Sequence, residues 1–245
     1  MTFHLLHLQP EAKALAAWAV RHKVLSPDGD YGYALHGLLH AAFGEQAPQP
    51  FRYIGDRGGL LAYTTVDPDL LRQHASLAAP DVARALGLDA LEARPFPITW
   101  KKGQTVGFEV RVRPVVRTKD GRERDVFLSS AESNPAGDGG GIAQRSALYH
   151  GWLAKQFVGL NAAEGAAEII RAQMEEFRLT CVLRKTGPGA NEKRKTLPVI
   201  GPDAVFKGKL QVGNPDAFVR LLARGIGRHR AFGFGMLLLR PASAC

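Results

Sequence analysis

Cysteine is scarce in this 245-residue chain: Cys181 and Cys245 are the whole complement, and the second is the last residue. Two cysteines so placed exclude a disulfide framework and fit a reducing compartment. No apolar run approaches the roughly 20 residues of a membrane-spanning helix. The N-terminus, Met1-Thr2-Phe3-His4-Leu5-Leu6, has neither a basic leader nor a small-residue cleavage site, so no secretory signal is expected. A cytoplasmic protein without membrane contact is the expectation. Three catalytic signatures are also missing. There is no Gly-Lys-Ser/Thr phosphate loop, no His-Glu-x-x-His pair, and no recognisable nucleophile triad. Positive charge is lacking from one part of the chain. Residues 1–100 hold 8 Lys and Arg against 10 Asp and Glu.

What is present lies on the other side of that asymmetry. The net charge is +9, so residues 101–245 carry the whole excess, 24 Lys and Arg against 13 Asp and Glu. A basic surface confined to one part of a chain is the footprint of a polyanion, most often a nucleic acid. Hydrophobic residues at 45% are enough to build a real core at this length.

The hydrophobic pattern predicts an α+β protein. Thr2–Gln9 reads as a strand and Pro10–Val20 as a helix, with Ala14, Leu15, Trp18 and Ala19 on one face. Tyr33–Phe43 has helical spacing again. Phe51–Ile54 and Leu60–Val66 read as strands, Asp67-Pro68-Asp69 caps a short helix, and a further helical piece follows from Asp81. Thr105–Val116 alternates Val106, Phe108, Val110 and Val112 with basic residues, as one strand would. After an irregular stretch over 118–141 come a helix over Ile142–Phe157, a helix over Ala166–Glu176 running into a strand over Phe177–Leu183, a strand over Val205–Val212, and a helix capped by Asn214-Pro215-Asp216. Strand, helix, strands, helix, strand in each half suits two tandem ferredoxin-like βαββαβ domains better than a doubly wound sheet. The expected division is 1–120, with a candidate Tyr/His site, and 121–245, with a glycine-rich loop.

That loop, Gly225-Ile226-Gly227-Arg228-His229-Arg230-Ala231-Phe232-Gly233-Phe234-Gly235, combines backbone freedom with three basic or titratable side chains. The other constellation is Tyr33-Ala34-Leu35-His36-Gly37-Leu38-Leu39-His40. On a helix Tyr33 and His36 are i,i+3 neighbours, and His36 and His40 are i,i+4 neighbours. Three readings are open: a zinc site, a half-buried hydrogen-bonded cluster, or acid–base chemistry near neutral pH. With RNA as the partner the third needs no metal, because the ribose 2′-hydroxyl is itself the nucleophile.

Together these blocks resemble the CasE family, the repeat-processing endoribonucleases of type I-E CRISPR systems, within the RAMP superfamily. The likeness is carried by Tyr33-Ala34-Leu35-His36, by the strand Phe108-Glu109-Val110-Arg111-Val112-Arg113-Pro114, by Phe206-Lys207-Gly208-Lys209-Leu210, and above all by the glycine-rich block. The resemblance implies metal-independent cleavage at the 3′ side of a CRISPR repeat stem-loop, with no cofactor. It leaves a 5′-hydroxyl and a cyclic or open phosphate, and the mature crRNA stays bound within a Cascade complex of partner subunits. The free chain is expected to be monomeric. His36 matches the family's catalytic histidine and Tyr33 its companion tyrosine. Candidate RNA contacts are Lys101, Lys102, Arg111, Arg113, Arg117, Lys119, Arg122 and Arg124, then Lys193 and Arg194 in a basic loop, then Gly225, Gly227, Arg228, His229 and Arg230. The alternative is a noncatalytic RNA-binding subunit of the same ribonucleoprotein.

Overall fold

Leu6 and Leu8 alternate with less buried neighbours along His4–Leu8, and in the computed structural model this stretch is strand β1. The structure describes residues 2–133, 141–158, 165–185 and 196–242. Helices α1 (Ala12–Arg21) and α2 (Gly32–Phe43) follow, then strands β2 (Phe51–Tyr53) and β3 (Leu60–Thr64), helices α3 (Pro68–Ser76) and α4 (Pro80–Leu86), and strand β4 (Glu92–Pro95). The four strands form an antiparallel sheet in the order β2-β3-β1-β4. The last strand beside the first, and the third between first and second, is the ferredoxin-like order. Register is set by the alternation of β1, which brings Leu6 opposite Ala62 and Leu8 opposite Leu60, all four buried.

The helices close over this sheet. Leu15 and Trp18 of α1, Leu35, Leu38 and Leu39 of α2, Leu71 of α3 and Leu86 of α4 join the strand side chains in one core cluster. Each fully buried leucine contributes about 1.5–3 kcal/mol. The expected cap of α3 is present: the Asp67 carboxylate accepts the Asp69 N–H at 2.8 Å, with Pro68 at the first helical position.

A second sheet repeats the plan. Strand β5 (Thr105–Val112) is followed by a ribbon of β6 (Val115–Arg117) and β7 (Glu123–Asp125), helices α5 (Val126–Ser133) and α6 (Ile142–Val158), strands β8 (Ala167–Lys185) and β9 (Thr196–Val212), helix α7 (Pro215–Arg224) and strand β10 (Leu237–Arg240). Its order is β10-β5-β9-β8, again last, first, third, second. The chain is thus two tandem ferredoxin-like βαββαβ folds, with the β6–β7 ribbon and α5 added after the first strand of the second. By contacts it divides into one unit of Met1–Phe96, Thr180–Ile200 and Arg230–Gly233, and another of Pro97–Leu179, Gly201–His229 and Phe234–Cys245.

Three elements differ from the sequence reading. The fourth strand of the first sheet is the short Glu92–Pro95, while Thr105–Val112 pairs with β9 and β10 in the second sheet. Thr105–Val116 is not one strand. Pro114 has no N–H for a ladder, and beyond it the chain leaves the sheet to pair Val115–Arg117 with β7. Ala166–Glu176 has the composition of a helix, rich in Ala and Glu, yet Ala167–Lys185 is a single edge strand. Pairing with β9 overrides a local preference worth only tenths of a kcal/mol per residue. Gly208 of β9 shows how close the two strands run, since a Cβ there would lie 2.0 Å from the Arg171 carbonyl oxygen.

Candidate active site

Helix α2 has two faces because its apolar residues recur at helical spacing. Ala34, Leu35, Leu38, Leu39 and Ala42 are buried in the core, which leaves Tyr33, His36 and Gly37 half-buried and His40 exposed along another stripe. The Tyr33 and His36 rings have centroids 6.4 Å apart, and those of His36 and His40 are 4.5 Å apart. Among the described residues, no group of three or more His, Cys, Asp or Glu side chains is placed to hold a metal ion.

The glycine-rich segment reaches this stripe. Phe232 lies edge-on to His36, with centroids 5.4 Å apart and planes at 86°, and its ring centroid is 5.6 Å from that of Tyr33. Contact this close depends on Gly32, where a Cβ would lie 2.3 Å from the Phe232 carbonyl oxygen. Beside the rings is a shallow, partly open recess lined by His36, Leu39, His40, Gln49, Phe51 and Ala231 among others. It falls far short of the roughly 300–1,000 Å³ of a site that engulfs a small molecule. It suits one segment of a larger ligand.

The entry to α2 is tied down. The Asp28 carboxylate accepts the Cys181 N–H at 2.6 Å, and Ser26 Oγ is 2.6 Å from both Asp28 Oδ1 and the Cys181 carbonyl oxygen. Burial pushes the Asp28 carboxyl up, but the hydrogen bonds from Ser26 and the backbone outweigh it and hold the group below the ordinary carboxylate value.

The candidate RNA contacts fall into groups with different surroundings. Lys101, Lys102, Arg117, Lys119, Arg122 and Arg124 are exposed, and Arg122 and Arg124 pair with Asp120 and Glu132. Arg228 is exposed as well, but its Nε donates to Glu123 Oε1 at 2.6 Å. The His229 ring, 5% exposed, places Nε2 2.5 Å from Glu123 Oε2. The hydrogen bond from His229, with Arg228 assisting, holds the Glu123 carboxyl down at about 2. Arg230 is half-buried, while Lys193 and Arg194 lie outside the described residues.

Arg111 and Arg113 are not on the surface. Arg111 forms a bidentate pair with Asp203, Nε to Oδ1 at 2.9 Å and Nη2 to Oδ2 at 2.7 Å, and Arg178 Nε adds a third bond at 3.0 Å. Burial pushes the Asp203 carboxyl up, but the two arginines outweigh it and keep it below the ordinary carboxylate value. Arg113 is 1% exposed, and both guanidinium groups lie near the Phe234 ring, at 4.3 Å for Arg111 and 5.8 Å for Arg113. The physical reason is the central position of β5, whose second face is covered by the glycine-rich segment. The Gly235 N–H donates to the Arg111 carbonyl at 2.7 Å.

All four glycines at 225, 227, 233 and 235 have φ between 69° and 81°, as the sequence pattern suggested. Gly227 has a second constraint, because a Cβ would meet the Trp152 ring at 2.9 Å. The sequence reading did not single out Phe232, Glu123 or Asp203. Phe232 had a signal, as the one aromatic between the basic triplet and Gly233. An acidic residue in a ribbon of mixed charge, as Glu123 is between Arg122 and Arg124, gives none.

A comparison with curated protein sequences gave no match. Among solved structures, Thermus thermophilus Cse3 bound to an RNA representing a pre-cleavage complex is similar at a TM-score of 0.62 and 18% identity, covering 98% of this chain and 100% of that one. The CRISPR endoribonuclease Cse3 bound to a 19-nucleotide RNA gives a TM-score of 0.64 at 18% identity, with 98% and 100% covered. At that identity the likeness establishes a common fold. A protein-family model described as CRISPR associated protein matches residues 3–241, and the chain belongs to that family.

Proposed function

We propose that this chain is a CasE-type endoribonuclease that binds a CRISPR repeat stem-loop and cleaves the precursor RNA at its 3′ side. The observation that carries the reading is Tyr33 and His36 side by side on the outer stripe of α2, with Phe232 of the glycine-rich segment against both. His36 moves a proton, and Tyr33 orients the ribose or donates to a phosphate oxygen. The exposed lysines and arginines of the second unit hold the RNA backbone, because A-form RNA is read mostly through shape and phosphates. The 2′-hydroxyl supplies the nucleophile, so the reaction runs without metal. Two solved relatives of the same fold are RNA-bound Cse3 structures, which supports the substrate class. In this reading the catalytic pair belongs to the N-terminal part, 1–120, and the glycine-rich loop to the C-terminal part, 121–245. The mature crRNA stays bound and enters a Cascade complex in the cytoplasm.

The test is cleavage of the cognate repeat RNA in excess EDTA by wild type and His36→Ala, with a substrate carrying a 2′-deoxy at the scissile nucleotide. Wild type should cut despite chelation. His36→Ala should bind the hairpin and cut about 10²–10⁴-fold more slowly, and the deoxy substrate should remain whole. Tight binding without cleavage by wild type would establish a noncatalytic RNA-binding subunit instead.

A further inference from the structure

We propose that His40 is a second catalytic residue of this site, the general acid that protonates the leaving 5′-oxygen while His36 accepts the 2′-hydroxyl proton. The inference rests on the endoribonuclease reading above. Its basis is the recess beside α2. Of the side chains lining it, only the two imidazoles ionise; the rest are apolar or, for Gln49, neutral. The rings lie 4.5 Å apart at 74°, not stacked, so both can turn a nitrogen toward one ligand seated in the recess.

His40 also differs from the histidines that have structural work. His22 stacks on Trp18 at 4.2 Å and 24°, and His229 is held by Glu123. Among the described residues His40 has the His36 ring as its aromatic partner, makes no side-chain hydrogen bond and is exposed. The remaining ionisable side chain of α2 is Tyr33. Those of the two short turns packed against the helix, Gly44–Gln46 and Arg230–Phe232, are Glu45 and Arg230.

Two imidazolium ions at this separation repel by about 1–4 kcal/mol at effective dielectric constants of 80 to 20. An acid–base pair works with one ring protonated and the other neutral. Half-buried His36, set beside Tyr33 and Phe232, takes the role of base, and exposed His40 that of acid. In the step, the 2′-oxygen bonds to phosphorus as its proton passes to His36. The bond from phosphorus to the 5′-oxygen breaks as that oxygen takes the proton of His40. A 2′,3′-cyclic phosphate and a 5′-hydroxyl result. One proton has left the RNA and one has joined it, so the pair still holds a single proton.

The discriminating experiment uses single-turnover cleavage of two repeat RNAs, one normal and one with sulfur replacing the 5′-bridging oxygen at the scissile bond. A thiolate leaves without being protonated. His40→Ala and His40→Gln should bind the hairpin as wild type does and cut the oxygen substrate about 10²–10³-fold more slowly. They should cut the sulfur substrate within about threefold of wild type, while His36→Ala stays slow on both. Wild-type rates for the His40 variants on the oxygen substrate would overturn the proposal and leave the endoribonuclease reading intact. So would a deficit that persists with sulfur. Failure of wild type to cut either RNA would overturn that reading, and the role of His40 with it.

Discussion

At the scale of single residues, charge on this protein divides by burial rather than by position in the sequence. Arg111 is a buried partner of Asp203, whereas Lys101 and Lys102, ten residues earlier, face solvent. Removing one member of a buried pair leaves the other charged and desolvated, which costs about 3–5 kcal/mol. Asp203→Ala should therefore lower unfolding free energy by that amount in urea titrations, with Arg111→Ala similar. Lys101→Ala should change it by less than about 0.5 kcal/mol. Glu123 makes a pH prediction. In the fold its carboxyl is held at about 2, against 4.5 for an unperturbed glutamate. A carboxyl held down this way contributes stability that is fully present above about 4.5 and is lost as the pH falls toward about 2. Glu123→Gln should lower stability at neutral pH and flatten the acid limb across that window, as read by thermal melts at a series of pH values.

At the scale of elements, helix α2 and the glycine-rich segment are fitted to each other through Gly32. Alanine is a better helix former than glycine by about 1 kcal/mol in a helix interior. Gly32→Ala nevertheless adds a Cβ 2.3 Å from the Phe232 carbonyl, so the segment must move off the helix. Cleavage should fall about tenfold or more under single turnover, with hairpin affinity changed much less. The cap of α7 is the contrasting case. Asn214 Oδ1 accepts the Ala217 N–H at 2.9 Å, and Asn214→Ala should cost about 1 kcal/mol without altering the cleavage rate of bound RNA. Local chemistry made both helix caps legible in the sequence, since Asp-Pro and Asn-Pro before a periodic run have one physical use. The β8 strand was not legible in the same way. Its residues favour a helix, and the partner that makes them a strand, Thr196–Val212, comes later in the chain.

At the scale of the whole molecule, the salt dependence of RNA binding reports how many cations meet phosphates. Each lost phosphate contact should reduce the slope of log K against log salt by roughly 0.7–0.9. Replacing Arg117, Lys119, Arg122 and Arg124 of the β6–β7 ribbon together should flatten that slope measurably. Arg111→Ala should act through stability, with any slope change disappearing once the folded fraction is taken into account. Binding isotherms at several salt concentrations, with circular dichroism on the same samples, separate the two. Among the described residues no helix is long and apolar enough to cross a membrane.

The sequence by itself determined the α+β class, the repeated strand–helix order, the helical stripe of Tyr33, His36 and His40, and the left-handed glycines of the loop. Each depends on short-range periodicity or on backbone sterics at one residue, and those travel with the sequence. Tertiary structure alone decided that Glu92–Pro95 completes the first sheet, that Phe232 meets the histidine stripe, and that Arg111 and Arg113 are inside. Those outcomes depend on which segments, far apart in the chain, come to cover one another. An alternation of valines and arginines reads the same whether the arginine face meets water or a phenylalanine more than a hundred residues away. Only burial, and the Asp203 carboxylate that accompanies it, tells the two apart.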